Sequence, residues 1–141
     1  MGYTHYYQQH EPISTESWAV FTKNVTQLIE QAWYLNLDME MTGEYISING
    51  VGEQAHESFT LYRNDTRWEF CKTARKEYDE LVTAILILVR YTYPSFSVSS
   101  DGTWEEWLQG RELFTHTFYL QPSEEAVFSN SNHVYPVRSL S

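Results

Sequence analysis

The chain has 141 residues, a formal net charge of −10 and a single cysteine, and 42% of its residues are hydrophobic. That is the length of one domain, able to bury roughly two-thirds of its unfolded surface. Nineteen acids against nine bases argue against a general DNA- or RNA-binding surface, which needs clustered Lys and Arg. The lone Cys71 rules out an intrachain disulfide framework or a cysteine-based zinc site.

In chain order, the aromatic run from Gly2 to Gln9 predicts a first strand, with Tyr3, His5 and Tyr7 on one face and Thr4 and Tyr6 on the other. Trp18, Phe21, Val25, Leu28, Ile29 and Ala32 fall at helical spacing behind a Ser14 or Thr15 cap. Residues 33–43 give no clear period. Glu44–Ile48 alternates as a strand and stops at Asn49-Gly50. Phe59–Arg63 and Arg67–Cys71 predict two strands joined as a hairpin through Asn64-Asp65-Thr66. A helix apolar almost all round, and therefore buried, is predicted from Glu77 to about Tyr91, ended by Pro94. A short strand around Phe96 and Val98 leads into the loop Ser99–Thr103. There Thr103 and Glu106 form a capping box for a last helix.

This order predicts an α+β single domain over residues 1–121, a mostly antiparallel sheet with about three helices packed on one face. An irregular C-terminal segment is predicted over 122–141. No apolar run approaches the ~18 residues of a membrane span, and MGYTHYYQQH has neither part of a signal peptide. A cytoplasmic location and no membrane partner are the expectation.

The charge is unevenly spread. Arg63, Arg67, Lys72, Arg75 and Lys76 fall in one short window, and three of them open FCKTARKEYD, where the buried helix is predicted to begin. Cations disfavour a helix N-terminus, so Lys72, Arg75 and Lys76 read as placed for an anionic guest, with the Thr73 hydroxyl beside them. The plainer reading is surface ion pairing in an acidic protein. Ser99, Ser100, Asp101 and Gly102 form a second helix-opening loop, able to hold phosphate through backbone N–H groups or to act as an ordinary cap. Tyr3, Thr4, His5 and Tyr6 form a polar aromatic strand that can stack on a base and hydrogen-bond to it. The five histidines show no H-x-x-x-H or H-E-x-x-H spacing, no nucleophile motif is present, and Cys71 reads as a buried inert thiol. No catalytic residue, metal or cofactor is assigned.

MGYTHY at the start, ING.G..AHE.F, FCKTARK.YD and VSSDG.W resemble, colinearly over roughly residues 1–108, a family of small uncharacterised bacteriophage and prophage proteins. The resemblance implies a viral origin, a location in the host cytoplasm and a role against host defence. It also adds Asp79 to the polar motif residues. The leading expectation is a small-ligand binding protein that sequesters a phosphate-bearing nucleotide, an immune signal, without chemistry. Lys72, Arg75 and Lys76 would take the phosphate, and Tyr3, His5 or Tyr6 the base. Ser100 and Asp101 would read sugar or base polar groups. The alternatives are an acidic nucleic-acid mimic that blocks a host defence protein, favoured by the net charge, and a nucleotide-processing enzyme using His5 with Lys72 or Asp79. A homo-oligomer is compatible with the aromatic content.

Overall fold

The computed structural model describes residues 2–128. They form an α+β domain with two small antiparallel sheets and four α-helices. Strands β1 (Thr4–Gln8), β5 (Trp68–Lys72) and β6 (Ser97–Ser100) make one sheet with β1 at its centre. Strands β2 (Asp38–Met41), β3 (Tyr45–Asn49) and β4 (Phe59–Tyr62) make the other, in the order β2-β3-β4. The antiparallel strands are thus divided between two sheets.

Helix α1 (Thr15–Gln31) starts where the sequence predicts, with Ser14 Oγ accepting from Ser17 N at 3.1 Å, and it buries Trp18, Phe21, Val25 and Leu28. Helix α2 (Asp79–Thr92) is the centre of the fold. Leu81 to Tyr91 are all buried, and helices α1, α3 (Leu108–Phe118) and α4 (Glu124–Phe128) pack around it. One 3₁₀ turn, Glu105–Trp107, leads directly into α3. The Thr103–Glu106 capping box is formed in both directions: Thr103 N donates to Glu106 Oε1 at 3.0 Å and Glu106 N to Thr103 Oγ1 at 3.2 Å.

The observed structure departs from the sequence reading in four places. Phe59–Arg63 and Arg67–Cys71 are not a hairpin. Strand β4 pairs with β3 and β5 with β1, because the apolar faces of the two runs are needed in different sheets. The segment without a clear period contains β2, whose Met39 and Met41 lie opposite Ile48 and Ile46. The buried helix opens at Asp79, not Glu77. Finally, residues 124–128 of the predicted irregular segment are helical, with Val127 buried. Arg90 inside α2 holds that segment by donating from Nε to Val127 O at 3.2 Å. The remainder of that segment lies outside the described residues.

Candidate functional site

The inner face of the β1 sheet turns His5, Tyr7, Cys71 and Val98 into the core. Around His5 three segments meet: β1 itself, the β5–α2 connection and the β6–α3 connection. His5 Nε2 lies 2.6 Å from Asp79 Oδ1 and Nδ1 lies 2.7 Å from Ser100 Oγ. Thr73 Oγ1 donates to the same Asp79 oxygen at 2.6 Å. Ser100 Oγ also accepts from Gly102 N at 2.9 Å and from Trp107 Nε1 at 3.1 Å. With two N–H donors already on that oxygen, its hydroxyl proton goes to Nδ1. His5 is then the tautomer that donates from Nε2 to the carboxylate.

Asp79–His5–Ser100 has the connectivity of a nucleophile triad. It lacks the freedom of one. Both lone pairs of Ser100 Oγ are occupied, and His5 is fully buried between edge-on Tyr3 and Trp107 rings at 5.1 and 5.2 Å. The array works as a clamp that ties two connections to the central strand.

A second layer covers it. Thr73 N and Ala74 N both donate to Tyr3 O, at 3.1 and 3.3 Å. The chain then turns tightly, with Lys76 N donating to Thr73 O at 3.0 Å while Ala74 and Arg75 take φ of 53° and 60°. Two successive left-handed residues define a turn that normally uses Asn-Gly, so the backbone here is strained. The turn carries the Arg75 guanidinium to 4.0 Å from the Tyr3 ring centroid and into a 2.5 Å bond with Glu106 Oε2. Thr103 N–H and Arg75 together hold the Glu106 carboxyl below its ordinary value. Burial, with Asp79 and Glu106 nearby, pushes the Tyr3 hydroxyl up. On the other side of Tyr3, a Cβ on Gly102 would overlap the tyrosine hydroxyl, so only glycine fits.

The charge puzzle of FCKTARKEYD resolves here. None of the three cations lies in the helix: Lys72 ends β5, and Arg75 and Lys76 sit in the preceding turn. The first turn of α2 holds Asp79 and Glu80, as its dipole prefers. Of the candidate residues, Tyr3, Thr4, His5, Tyr6, Thr73, Arg75, Asp79, Ser100, Asp101 and Gly102 form one connected cluster. In it, Asp101 accepts from Thr4 N through Oδ2 and from Tyr6 Oη through Oδ1, both at 3.1 Å. Many of these side chains hold one another, so the polar motif is largely structural. Lys72 and Ser99 stand elsewhere, opposite Thr4 and Tyr6 on the outer face of the sheet. Lys76 joins the cluster through its backbone alone.

On that outer face the sequence reading missed Gln8, Trp68, Phe70 and Ser97. In register it carries Thr4, Tyr6 and Gln8 on β1, Lys72, Phe70 and Trp68 on β5, and Ser99 and Ser97 on β6. Trp68 and Phe70 are 56% and 51% exposed. Tyr6 and Trp68 are stacked with centroids 5.5 Å apart and 18° between planes, and Trp68 and Phe70 are also 5.5 Å apart. Beside them lies a hollow of about 100 Å³ lined by Tyr6, Tyr7, Gln8, Trp68, Ser97, Val98 and Ser99. The available signal was the alternation in Trp68-Glu69-Phe70-Cys71-Lys72, which sends the two aromatics to the side opposite the buried thiol. Among the described residues, no group of three or more His, Cys, Asp or Glu could hold a metal ion, and no helix is long and apolar enough to cross a membrane.

Comparison with protein-family models, with curated proteins and with solved structures finds no match to this chain.

Proposed function

We propose that the protein binds a phosphate-bearing nucleotide on the outer face of the β1 sheet and does so without chemistry. The observation that carries this reading is the contiguous exposed ring surface of Tyr6, Trp68 and Phe70 with Lys72 at its end. Stacking on such a surface is worth about 1–3 kcal/mol per base. The Ser99 hydroxyl and the Gln8 carbonyl oxygen offer hydrogen bonds to base edges or sugar, while the Gln8 amide N–H is held by Thr66 O and Ser97 Oγ by His10, and Lys72 offers a cation for the phosphate.

Size supports a small guest over a protein. Three strands of five residues or fewer span an area on the order of 200 Å², against about 800 Å² per partner in a stable protein interface. The saturated clamp around His5 leaves that group engaged, so the site reads as a holder of its ligand. The likeness to phage proteins gives the binding a setting: removal of a nucleotide signal of host defence from the host cytoplasm.

The experiment is titration of the full chain with AMP, GMP, CMP and UMP, followed by tryptophan fluorescence and melting temperature. Quenching with a rise in melting temperature, both weakened in Phe70→Ala and Lys72→Ala, is the expected result. An unchanged spectrum and melting temperature with all four nucleotides would overturn the reading.

A further inference from the structure

Helices α1, α2 and α3 border a second hollow, of about 410 Å³, within the size range of small-molecule sites. Gln109, Glu112, Leu113 and His116 of α3 fall at helical spacing and present one face of that helix to it. Tyr34, in the turn after α1, and Glu80, in the first turn of α2, close the other sides. We infer that this hollow binds a small aliphatic amine, with the ammonium held between the Glu80 and Glu112 carboxylates and the alkyl chain along Leu113 and the Tyr34 ring. None of these residues belongs to the outer face of the β1 sheet, so the inference stands apart from the nucleotide reading.

The charges select the guest. No Lys or Arg lines the hollow, and among the described residues neither Glu80 nor Glu112 has a cationic side chain within ion-pair distance. Glu80 is half-buried, and burial, followed by the Glu112 charge, pushes its carboxyl up. The Tyr34 hydroxyl donates to Glu80 Oε2, which orients the carboxylate and offsets only part of that penalty. The dipole of α2 accounts for Glu80 in its first turn, but not for a second carboxylate brought near it by α3. A bound ammonium offsets the repulsion between the two, and its three N–H donors suit two carboxylates and the Gln109 amide oxygen. Leu113 is 4% exposed and gives an apolar wall beside the carboxylates, which an alkyl chain can cover and a bare inorganic cation cannot. The Tyr34 ring adds the attraction of an aromatic face for a cation.

The test is titration of the full chain with butylamine, followed by amide shifts in proton–nitrogen correlation spectra and by melting temperature, with butanol as the uncharged control. The expected result is saturable shifts confined to the surroundings of Tyr34, Glu80 and Glu112, a raised melting temperature and no response to butanol. Glu112→Gln should weaken butylamine at least about tenfold without lowering the melting temperature of the free protein, because it relieves a like-charge contact. A merely structural Glu112 would not separate those two readouts. Glu16→Gln makes the same charge change at the other end of α1 and should leave binding unchanged. Absence of shifts with butylamine, or an equal response to butanol, would overturn the inference. So would equal weakening by Glu16→Gln and Glu112→Gln, which would mark diffuse attraction to a chain of net charge −10.

Discussion

His5 and Asp79, 74 residues apart in the chain, meet at 2.6 Å with the imidazole fully buried and the carboxylate side chain 16% exposed. The contact is a junction. It joins the middle strand of one sheet to the first turn of the central helix, and through Nδ1 it reaches Ser100 at the end of β6. Asp79→Ala would orphan the imidazole N–H and the Thr73 hydroxyl together. A loss of about 2–4 kcal/mol is expected, read as a lower urea midpoint at unchanged m-value. Thr73→Val removes one donor and should cost about 1 kcal/mol. Equal stability of wild type and Asp79→Ala would mean that the clamp contributes nothing.

Ala74 and Arg75 hold left-handed backbone at φ of 53° and 60°, which for a residue with a Cβ costs about 1–2 kcal/mol. Glycine carries no such penalty. Ala74→Gly is therefore expected to raise stability by about 0.5–1 kcal/mol after the larger chain entropy of glycine is counted. Arg75→Gly relieves the same strain but gives up the Tyr3 and Glu106 contacts, so it should gain less than Ala74→Gly. Thermal melts of the two variants decide the order.

The Glu106 carboxyl is held low, first by the Thr103 N–H and then by Arg75. A depressed acid stabilises the fold above its unfolded value, near 4.5, and that contribution disappears as pH falls through the lower folded value. Acid unfolding curves should therefore bend downward below about pH 4.5. Glu106→Gln is expected to flatten that part of the curve and to leave the slope at neutral pH unchanged. An identical acid limb in the variant would contradict the assignment.

The Cys71 thiol is pushed up to about 12, first by burial and then by Glu57, and the side chain is fully buried. A thiolate is the reactive form. Native protein at pH 8 should resist iodoacetamide for as long as it stays folded, and react at once in denaturant, as mass spectrometry would record. Fast labelling of folded protein would mean that β5 opens locally.

The elements set by period and caps were legible in the sequence. Trp18 to Leu28, the Ser14 cap and the Thr103–Glu106 box each act over a few residues, and each appears where the local pattern puts it. Pairing partners were less legible. Nothing near Asn64-Asp65-Thr66 distinguishes a hairpin from a crossing between sheets; the choice is made by Ile46 and Ile48 on one side and Tyr7 on the other. The polar motif was visible, but its role was not. Thr73, Asp79, His5 and Ser100 are far apart in the chain, and only their convergence reveals that they serve one another. The sequence reading places Trp68 and Phe70 in a strand without a role, although their alternation with the buried Cys71 sends them to the outer face.

Gly110 and Thr83 mark the crossing of α3 over α2. A Cβ on Gly110 would overlap Thr83 Oγ1 and come within 3.1 Å of Ala84 N. Thr83 is 1% exposed, and its hydroxyl donates back to Asp79 O at 2.9 Å, so it has no room to turn away. In an open helix, Gly→Ala would stabilise by about 0.5–1 kcal/mol. Here the overlap reverses the sign, and Gly110→Ala should destabilise by about 1–3 kcal/mol. Thr83→Ala shrinks the obstructing group. Paired with Gly110→Ala it should recover at least half of the loss, giving a coupling energy of about 1 kcal/mol in a double-mutant cycle. Additive losses in that cycle would show that the two helices are held apart by some other contact.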